Sequence, residues 1–245
     1  MFIDVVDLRD FYDRRLGAIA RQMIRRRIVA LWPNVKGLNL LGLGYATPYL
    51  RPLLPEAERV VAMMPAPQGV LPWPRGAANR AALSEESELP LPNFSMDRVL
   101  LVHCLEFSEQ VRPLLREVWR VLAGGGRLIV IVPNRRGIWA RFDHTPFGQG
   151  NPYTTGQLSH LLRDEGFTPE RGAGALFVPP TASRFLLRSA PVWERLGEMW
   201  FRTFAGVVVV EATKQIYAAK PAVERLKQRR RVLVPMPGTP SPAGP

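Results

Sequence analysis

The chain lacks the residues that build disulfide-linked or metal-centred scaffolds. Cys104 is its only cysteine, which excludes an intramolecular disulfide and any multi-cysteine zinc or iron–sulfur site. The three histidines, His103, His144 and His160, are too far apart in sequence for a local metal motif. We therefore expect no bound metal.

Long apolar segments are also lacking. No run approaches the roughly 18–20 residues that a membrane-spanning helix needs. Asp4 and Asp7 stand where a signal peptide would carry positive charge. Hydrophobic residues make up 47% of the chain and charged residues 22%, a composition that can bury a full core. These features predict a soluble, cytoplasmic protein.

The net charge of +12 is concentrated at the two ends of the chain. Residues 1–36 carry +4, residues 214–245 carry +6, and residues 37–213 carry only +2. Surfaces that follow a nucleic-acid backbone need clustered positive charge, so the middle of the chain is not expected to be a nucleic-acid groove. The terminal arginines lie in water or attract an anionic membrane surface or RNA, and the sequence leaves both interpretations open.

Apolar runs alternate with segments of helical spacing along most of the chain. Strands are predicted at 37–41, 59–63, 98–102, 127–132, 173–178 and 206–213, and helices at 7–32, 47–54, 108–122, 154–165 and about 183–203. The helix at 108–122 is predicted to end at the triple glycine Gly124–Gly126. The alternation predicts an α/β fold, a Rossmann-like doubly wound and mostly parallel sheet with helices on both faces.

Three parts are predicted from this pattern and from the charge. Residues 1–36 form a basic amphipathic helix that covers the core. Residues 37–214 form the α/β domain, with a helical insertion at about 181–204. Residues 215–245 form a basic, proline-rich and disordered tail, since the last fourteen residues contain five prolines and no acid.

Three segments together carry a family resemblance. The first is the glycine turn Gly42-Leu43-Gly44, which follows a predicted strand. The others are LPLPNFSMDRVL at 89–100 and LREVWRVLAGGGRL at 115–128. In sequence and spacing they resemble the class I S-adenosylmethionine-dependent methyltransferases, in the subgroup shared with small-molecule methyltransferases. The resemblance implies a seven-stranded sheet and S-adenosylmethionine as the cofactor.

The resemblance also implies a set of cofactor-binding residues near the carboxyl ends of the strands. These are Gly42, Gly44, Tyr45, Ala46, Met63, Met64, Glu85, Glu86, Val102 and His103. Two positions depart from the family pattern. Leu40 stands where an acid usually precedes the first glycine, and Met63 or Met64 stands where an acid usually accepts hydrogen bonds from the ribose. Weak cofactor binding, or none, is therefore one reading of the sequence.

Candidate catalytic residues follow the fourth and fifth strands. His103 is a candidate base near the cofactor, and His144 and Tyr153 are candidates on the acceptor side, in an aromatic loop that resembles a lid. Packing or helix-capping roles explain the same three residues equally well. Glu106 is interpreted as a surface acid. A second aromatic group either walls an apolar acceptor pocket or packs on the sheet edge: Trp193, Trp200, Phe201 and Phe204.

Three functions are compatible with these observations. The leading hypothesis is a methyltransferase that acts on a small, apolar molecule by in-line transfer from S-adenosylmethionine. The first alternative is a catalytically silent binding or assembly protein, motivated by Leu40, Met63 and Met64. The second is an RNA or protein methyltransferase recruited by the basic termini.

Overall fold

In the computed structural model, residues 3–181, 183, 187–200 and 202–214 are described, and they contain one seven-stranded sheet. Its strands are β1 (Asn39–Gly44), β2 (Arg59–Pro65), β3 (Ala81–Ser84), β4 (Met96–Val102), β5 (Leu122–Pro133), β6 (Phe167–Ala175) and β7 (Val207–Lys214). The spatial order is β3-β2-β1-β4-β5-β7-β6. The first five are parallel, and β7 runs antiparallel to both β5 and β6. The predicted fold class is confirmed.

Helices cover both faces of the sheet. They are α1 (Val5–Asp13), α2 (Arg15–Leu31), α3 (Thr47–Leu50), α4 (Val111–Val121), α5 (Thr155–Asp164) and α6 (Ala190–Trp200). One layer of the core contains the buried side chains of α1, α2 and α3, and the other contains those of α4 and α5. Side chains alternate between the layers along each strand, so that Leu40 faces the first layer and Leu41 the second.

The single helix predicted over residues 7–32 is wrong, because the chain forms two helices there. Arg14 has extended backbone angles, φ −77° and ψ 159°, and separates α1 from α2. The Asp4 side chain accepts a hydrogen bond from Val6 N and caps the start of α1. The break lets α1 cross the carboxyl ends of the strands while α2 packs along the sheet.

Two further local predictions differ from the structure. The four-residue strand β3 lies in a segment for which no strand was predicted, since four residues are too few to show a period. The triple glycine does not terminate α4, which ends at Val121 and leads directly into β5. Instead Gly124–Gly126 lie where the register of β4 and β5 shifts between Met96 and Arg98, and Gly125 has φ +71°.

Buried charges hold the antiparallel strand β7 in place. Glu211 is fully buried and pairs with Arg127 of β5 at 3.3 Å and with Arg171 of β6 at 2.7 Å. Lys214, 1% exposed, donates from Nζ to the carbonyl oxygens of Trp119 and Leu122, each at 2.6 Å. These contacts tie the end of β7 to the junction between α4 and β5.

Lys214 is expected to make stability depend on pH. Burial lowers the pKa of its ammonium from 10.5 to about 8, so the folded chain loses this proton at a lower pH than the unfolded chain does. The free energy of unfolding should therefore rise between about pH 8 and pH 10.5, relative to a Lys214→Met variant. Denaturant unfolding of both proteins across this range measures the difference, and a difference that stays constant with pH would contradict the prediction.

Candidate functional site

The carboxyl ends of β1, β2 and β4 lie side by side at one edge of the sheet. Gly44 is in register with Val102 of β4, and Leu43 with Met63 of β2. The strand order reverses between β1 and β4, and ligands of open α/β sheets bind beyond the carboxyl ends at such a point. This edge is the candidate site.

Packing accounts for both glycines of the turn after β1. Gly44 has φ +73°, and a Cβ there would overlap the carbonyl oxygen of Val102. A Cβ at Gly42 would lie 2.5 Å from Cδ1 of Leu50. The Tyr45 N–H donates to the Val102 carbonyl at 2.8 Å and fixes the turn against β4. The glycines are therefore required by the approach of β1 to β4 and α3, with or without a ligand.

A buried hydrogen-bonded chain crosses this edge. Tyr49 donates its hydroxyl proton to Tyr12 Oη at 2.9 Å, and Tyr12 Oη lies 2.8 Å from His103 Nε2. Because the Tyr12 hydroxyl oxygen accepts the proton of Tyr49, the hydroxyl proton of Tyr12 points to His103 Nε2. The neutral imidazole therefore carries its proton on Nδ1, which lies 3.2 Å from a Glu106 oxygen. Burial raises the pKa of both tyrosines, so both stay neutral.

Buried polar atoms without partners are concentrated at the same edge. Among the described residues, eight buried side-chain polar atoms lack a hydrogen-bond partner. Five of them belong to Gln68, Glu86, His103 and Glu106. Each such atom costs about 1–3 kcal/mol, so a cluster of them marks a place for water or a polar ligand. The interpretation of Glu106 as a surface acid is wrong, since it is 1% exposed.

Little space remains beside these atoms. The cavity lined by Met63, Met64 and Glu86 has a volume of only about 10 Å³, about that of one water molecule. Gln68 is fully buried there and donates from Nε2 to the His103 carbonyl at 2.9 Å. Tyr12 of α1 covers His103. Side chains thus fill this part of the crevice, and the two methionines offer no acceptor to a ribose.

The two acids predicted to face an adenine differ in their surroundings. Glu86 accepts a hydrogen bond from Ser108 Oγ at 2.5 Å, and burial raises the pKa of its carboxyl. Glu85 is exposed and forms an isolated bridge with Glu88. Tyr45 and Ala46, also predicted to touch the cofactor, are buried beside the turn.

The predicted acceptor-side residues are separated. His144 is exposed and contacts Phe142, with ring centroids 5.4 Å apart. Phe147 of the same loop packs on His103, with centroids 4.9 Å apart. Tyr153 is half-buried, and its pKa is raised by burial and by the charge of Glu106. The structure therefore brings His103 and Tyr153 towards one carboxylate and leaves His144 outside.

An apolar cavity of about 500 Å³ lies beyond the end of β5. Its lining includes Ile138, Phe177, Trp193, Leu196 and Phe204. Trp200 is 72% exposed, and Phe201 lies outside the described residues. Two of the four aromatic residues predicted to wall a pocket are thus found in one.

The described ranges offer neither a metal-ligand cluster nor a membrane-spanning helix. No group of three or more His, Cys, Asp or Glu side chains there could hold a metal ion. No helix in the same ranges is long and apolar enough to cross a bilayer.

Sequence reasoning missed Tyr12, Tyr49 and Gln68 at this edge. The tyrosines look like core residues in their helices, and Gln68 lies in a proline-rich loop with no motif. The sequence contained one signal for the contact between His103 and Glu106. Glu106 follows His103 by three residues, a spacing that brings side chains together in a helical turn.

Comparison with known proteins agrees with this topology. Residues 41–130 match the methyltransferase-domain family model. No curated protein matches the chain. A Thermotoga maritima S-adenosylmethionine-dependent methyltransferase, described as a possible histamine N-methyltransferase, is 18% identical with a TM-score of 0.59, over 86% of this chain and 96% of its own.

Two other solved structures have the same fold. A Burkholderia thailandensis 1,6-didemethyltoxoflavin-N1-methyltransferase, with S-adenosylhomocysteine bound, is 17% identical with a TM-score of 0.54, over 86% of this chain and 85% of its own. A Haloferax volcanii complex of a methyltransferase with the Trm112 activator matches at 14% identity and a TM-score of 0.61, over 88% and 100%. At these identities the likeness shows the fold. Together with the match of residues 41–130 to the methyltransferase-domain model, it shows that the chain has the fold of S-adenosylmethionine-dependent methyltransferases.

Proposed function

We propose that the chain transfers a methyl group from S-adenosylmethionine to a small, apolar molecule. The cluster of unpartnered buried acceptors at the carboxyl ends of β2 and β4 supports this proposal most directly. Gln68, Glu86 and Glu106 present oxygen atoms there. The hydroxyl, amino and ammonium groups of the cofactor are donors that would satisfy them. The chemistry of these oxygen atoms fits the cofactor, although Met63 and Met64 stand where the resemblance implies an acid that binds the ribose.

Space for the cofactor requires α1 to shift outward. The first turn of α1 lies against the loop after β2, where a Cβ on Gly69 would be 3.3 Å from Val5. Its last turn is anchored by the hydrogen bond between Tyr12 and His103. The described conformation is therefore a closed one, and the ligand-bound state is a second conformation that binding must stabilise.

The chain's own contribution to catalysis is positioning and control of one proton. When bound, the cofactor supplies an electrophilic methyl group on a sulfonium. Displacement at that methyl needs alignment and exclusion of water more than acid–base chemistry. Withdrawal of Tyr12 leaves His103 Nε2 free to accept a proton from the acceptor, while Glu106 stabilises the imidazolium through Nδ1–H. The cavity of Trp193 and Phe204 suits an apolar acceptor.

A catalytically silent binding or assembly protein is the second candidate function. The 10 Å³ crevice and the methionines at the ribose position favour it, since a protein without a ligand there gains stability by filling the space. The alternative of recruitment by basic termini depends partly on residues 215–245, which lie outside the described residues.

Calorimetric titration with S-adenosylhomocysteine separates the two candidates. We expect saturable binding at one site per chain, since the product of methyl transfer carries the same donors as the cofactor. No heat at millimolar ligand from a folded protein would reject the methyltransferase and favour the silent protein.

Glu106→Gln tests the carboxylate at the centre of the site. It replaces a buried carboxylate, which lies 3.2 Å from His103 Nδ1, by a neutral amide whose oxygen can keep that contact, so the melting temperature should stay the same or rise. Affinity for S-adenosylhomocysteine should fall by roughly tenfold or more, as expected for a lost charge-assisted hydrogen bond. Glu109→Gln, an exposed acid three residues away, is the control and should change neither quantity. Equal affinity in the two variants would show that Glu106 does not face the ligand.

Tyr12→Phe tests the closure by α1. It deletes the hydroxyl that bonds to His103 and Tyr49, which destabilises the closed conformation by about 1 kcal/mol. Affinity for S-adenosylhomocysteine should then rise roughly fivefold. Ile28→Val, a buried methyl deletion in α2 with a similar cost of about 1 kcal/mol, is the control for general loss of stability. Weaker binding in Tyr12→Phe, with binding retained in the control, would show that Tyr12 supports the ligand instead.

A further inference from the structure

A second, larger cavity lies beside the glycine turn, between α2, α3 and the loop after β2. Its volume is about 770 Å³, within the range of sites for small ligands, roughly 300–1,000 Å³. Its lining includes the buried residues Tyr45, Met64 and Trp73. The charged side chains in the wall are exposed or half-buried, so a ligand can reach them from solvent.

The wall of this cavity is rich in arginine. Its charged residues are Arg9, Asp13, Arg21, Arg25, Arg51 and Arg75. They come from α1, from α2, from the turn that follows α3 and from the loop after β2. Arg21 and Arg25 are four residues apart in α2 and so lie on one face of that helix, an arrangement that repels. The fold thus gathers cations from four separate segments into one cavity.

Four of these arginines form no ion pair with any described residue, although Asp13 lies in the same wall. Within the part of the chain that the structure describes, Arg21, Arg25, Arg51 and Arg75 form no ion pair, whereas Arg9 pairs with Asp10 at 2.8 Å. Other arginines do form ion pairs. Arg112 and Arg116, for example, both pair with Glu165.

The positive charges of the wall also affect the pKa of Tyr45, which lines the cavity. Burial, with a smaller contribution from the charge of Asp13, raises the pKa of Tyr45 to about 12. The positive charges of Arg9, Arg75 and Arg21 act in the opposite direction. Three of the guanidinium groups are therefore close enough to the phenol to affect its ionisation.

We propose that this cavity binds a phosphorylated small molecule of nucleotide size. Guanidinium groups match pairs of phosphate oxygens in geometry, and several unpaired cations in one cavity repel one another until an anion enters. The apolar lining suits the part of the ligand that carries no phosphate. RNA needs a track of positive charge along a surface, whereas these arginines come from four segments and line one cavity. The proposal goes beyond methyl transfer, although Tyr45 and Met64 of the predicted cofactor set also line this cavity.

Titration of the full-length chain with ATP, inorganic pyrophosphate and adenosine tests this proposal. We expect one site per chain for ATP or pyrophosphate and none for adenosine, since phosphate supplies the recognised charge. The double variant Arg21→Gln/Arg51→Gln should weaken binding by at least about tenfold. Arg26→Gln/Arg163→Gln removes the same net charge from positions that do not line the cavity, and should bind within about twofold of wild type. Thermal melts confirm that each variant is folded, and Arg75→Gln in the loop replaces the first double variant if that one unfolds.

Three outcomes would overturn the proposal. One is the absence of saturable binding of both ATP and pyrophosphate. Another is an equal loss of affinity in the two double variants, which would indicate attraction by net charge alone. The third is binding of a single-stranded RNA oligonucleotide without binding of either small phosphate compound, which would assign the basic face to nucleic acid.

Discussion

The close approach of β1 to β4 is the constraint on which the site depends. The turn after β1 can only be made because Gly44 adopts a positive φ and leaves no Cβ between its own backbone and Val102. The hydrogen bond from Tyr45 N to the Val102 carbonyl then holds the two strand ends together. With the ends fixed, the residues that follow β4, His103 and Glu106, point to the same edge as the loop after β2.

At that edge, the need of buried polar groups for hydrogen-bond partners conflicts with dense packing. The tyrosine chain satisfies one nitrogen of His103, but Glu106 and Gln68 keep buried oxygens without partners. A protein selected for stability alone would replace such groups or hydrate them, because each one costs free energy. Their retention beside a nearly filled crevice is typical of a site that exchanges its own contacts for those of a ligand.

The sequence predicted the structure best where the spacing of apolar side chains and short local motifs determine an element. Apolar runs identified five of the seven strands and overlapped β6 only at residues 173–175, because strand periods are properties of local sequence. The segments at 89–100 and 115–128, which carry the resemblance to methyltransferases, lie within the residues that match the methyltransferase-domain model. The same reasoning failed at Arg14, where one backbone dihedral breaks an uninterrupted amphipathic pattern, and at Gly124–Gly126, where a shift in pairing between β4 and β5 uses the glycines. Both failures involve geometry that a neighbouring element imposes.

The sequence by itself thus determined the fold class, the resemblance to the methyltransferase domain and the place of the glycine turn, since these follow from periodicity and local motifs. Only the tertiary structure decided which residues share the site. Tyr12 meets His103 across 91 positions and Gln68 meets it across 35, and contacts at such separations depend on how the elements pack. It also decided that arginines from four segments surround one cavity, because the direction of a side chain is set by the element that carries it and by the neighbours of that element.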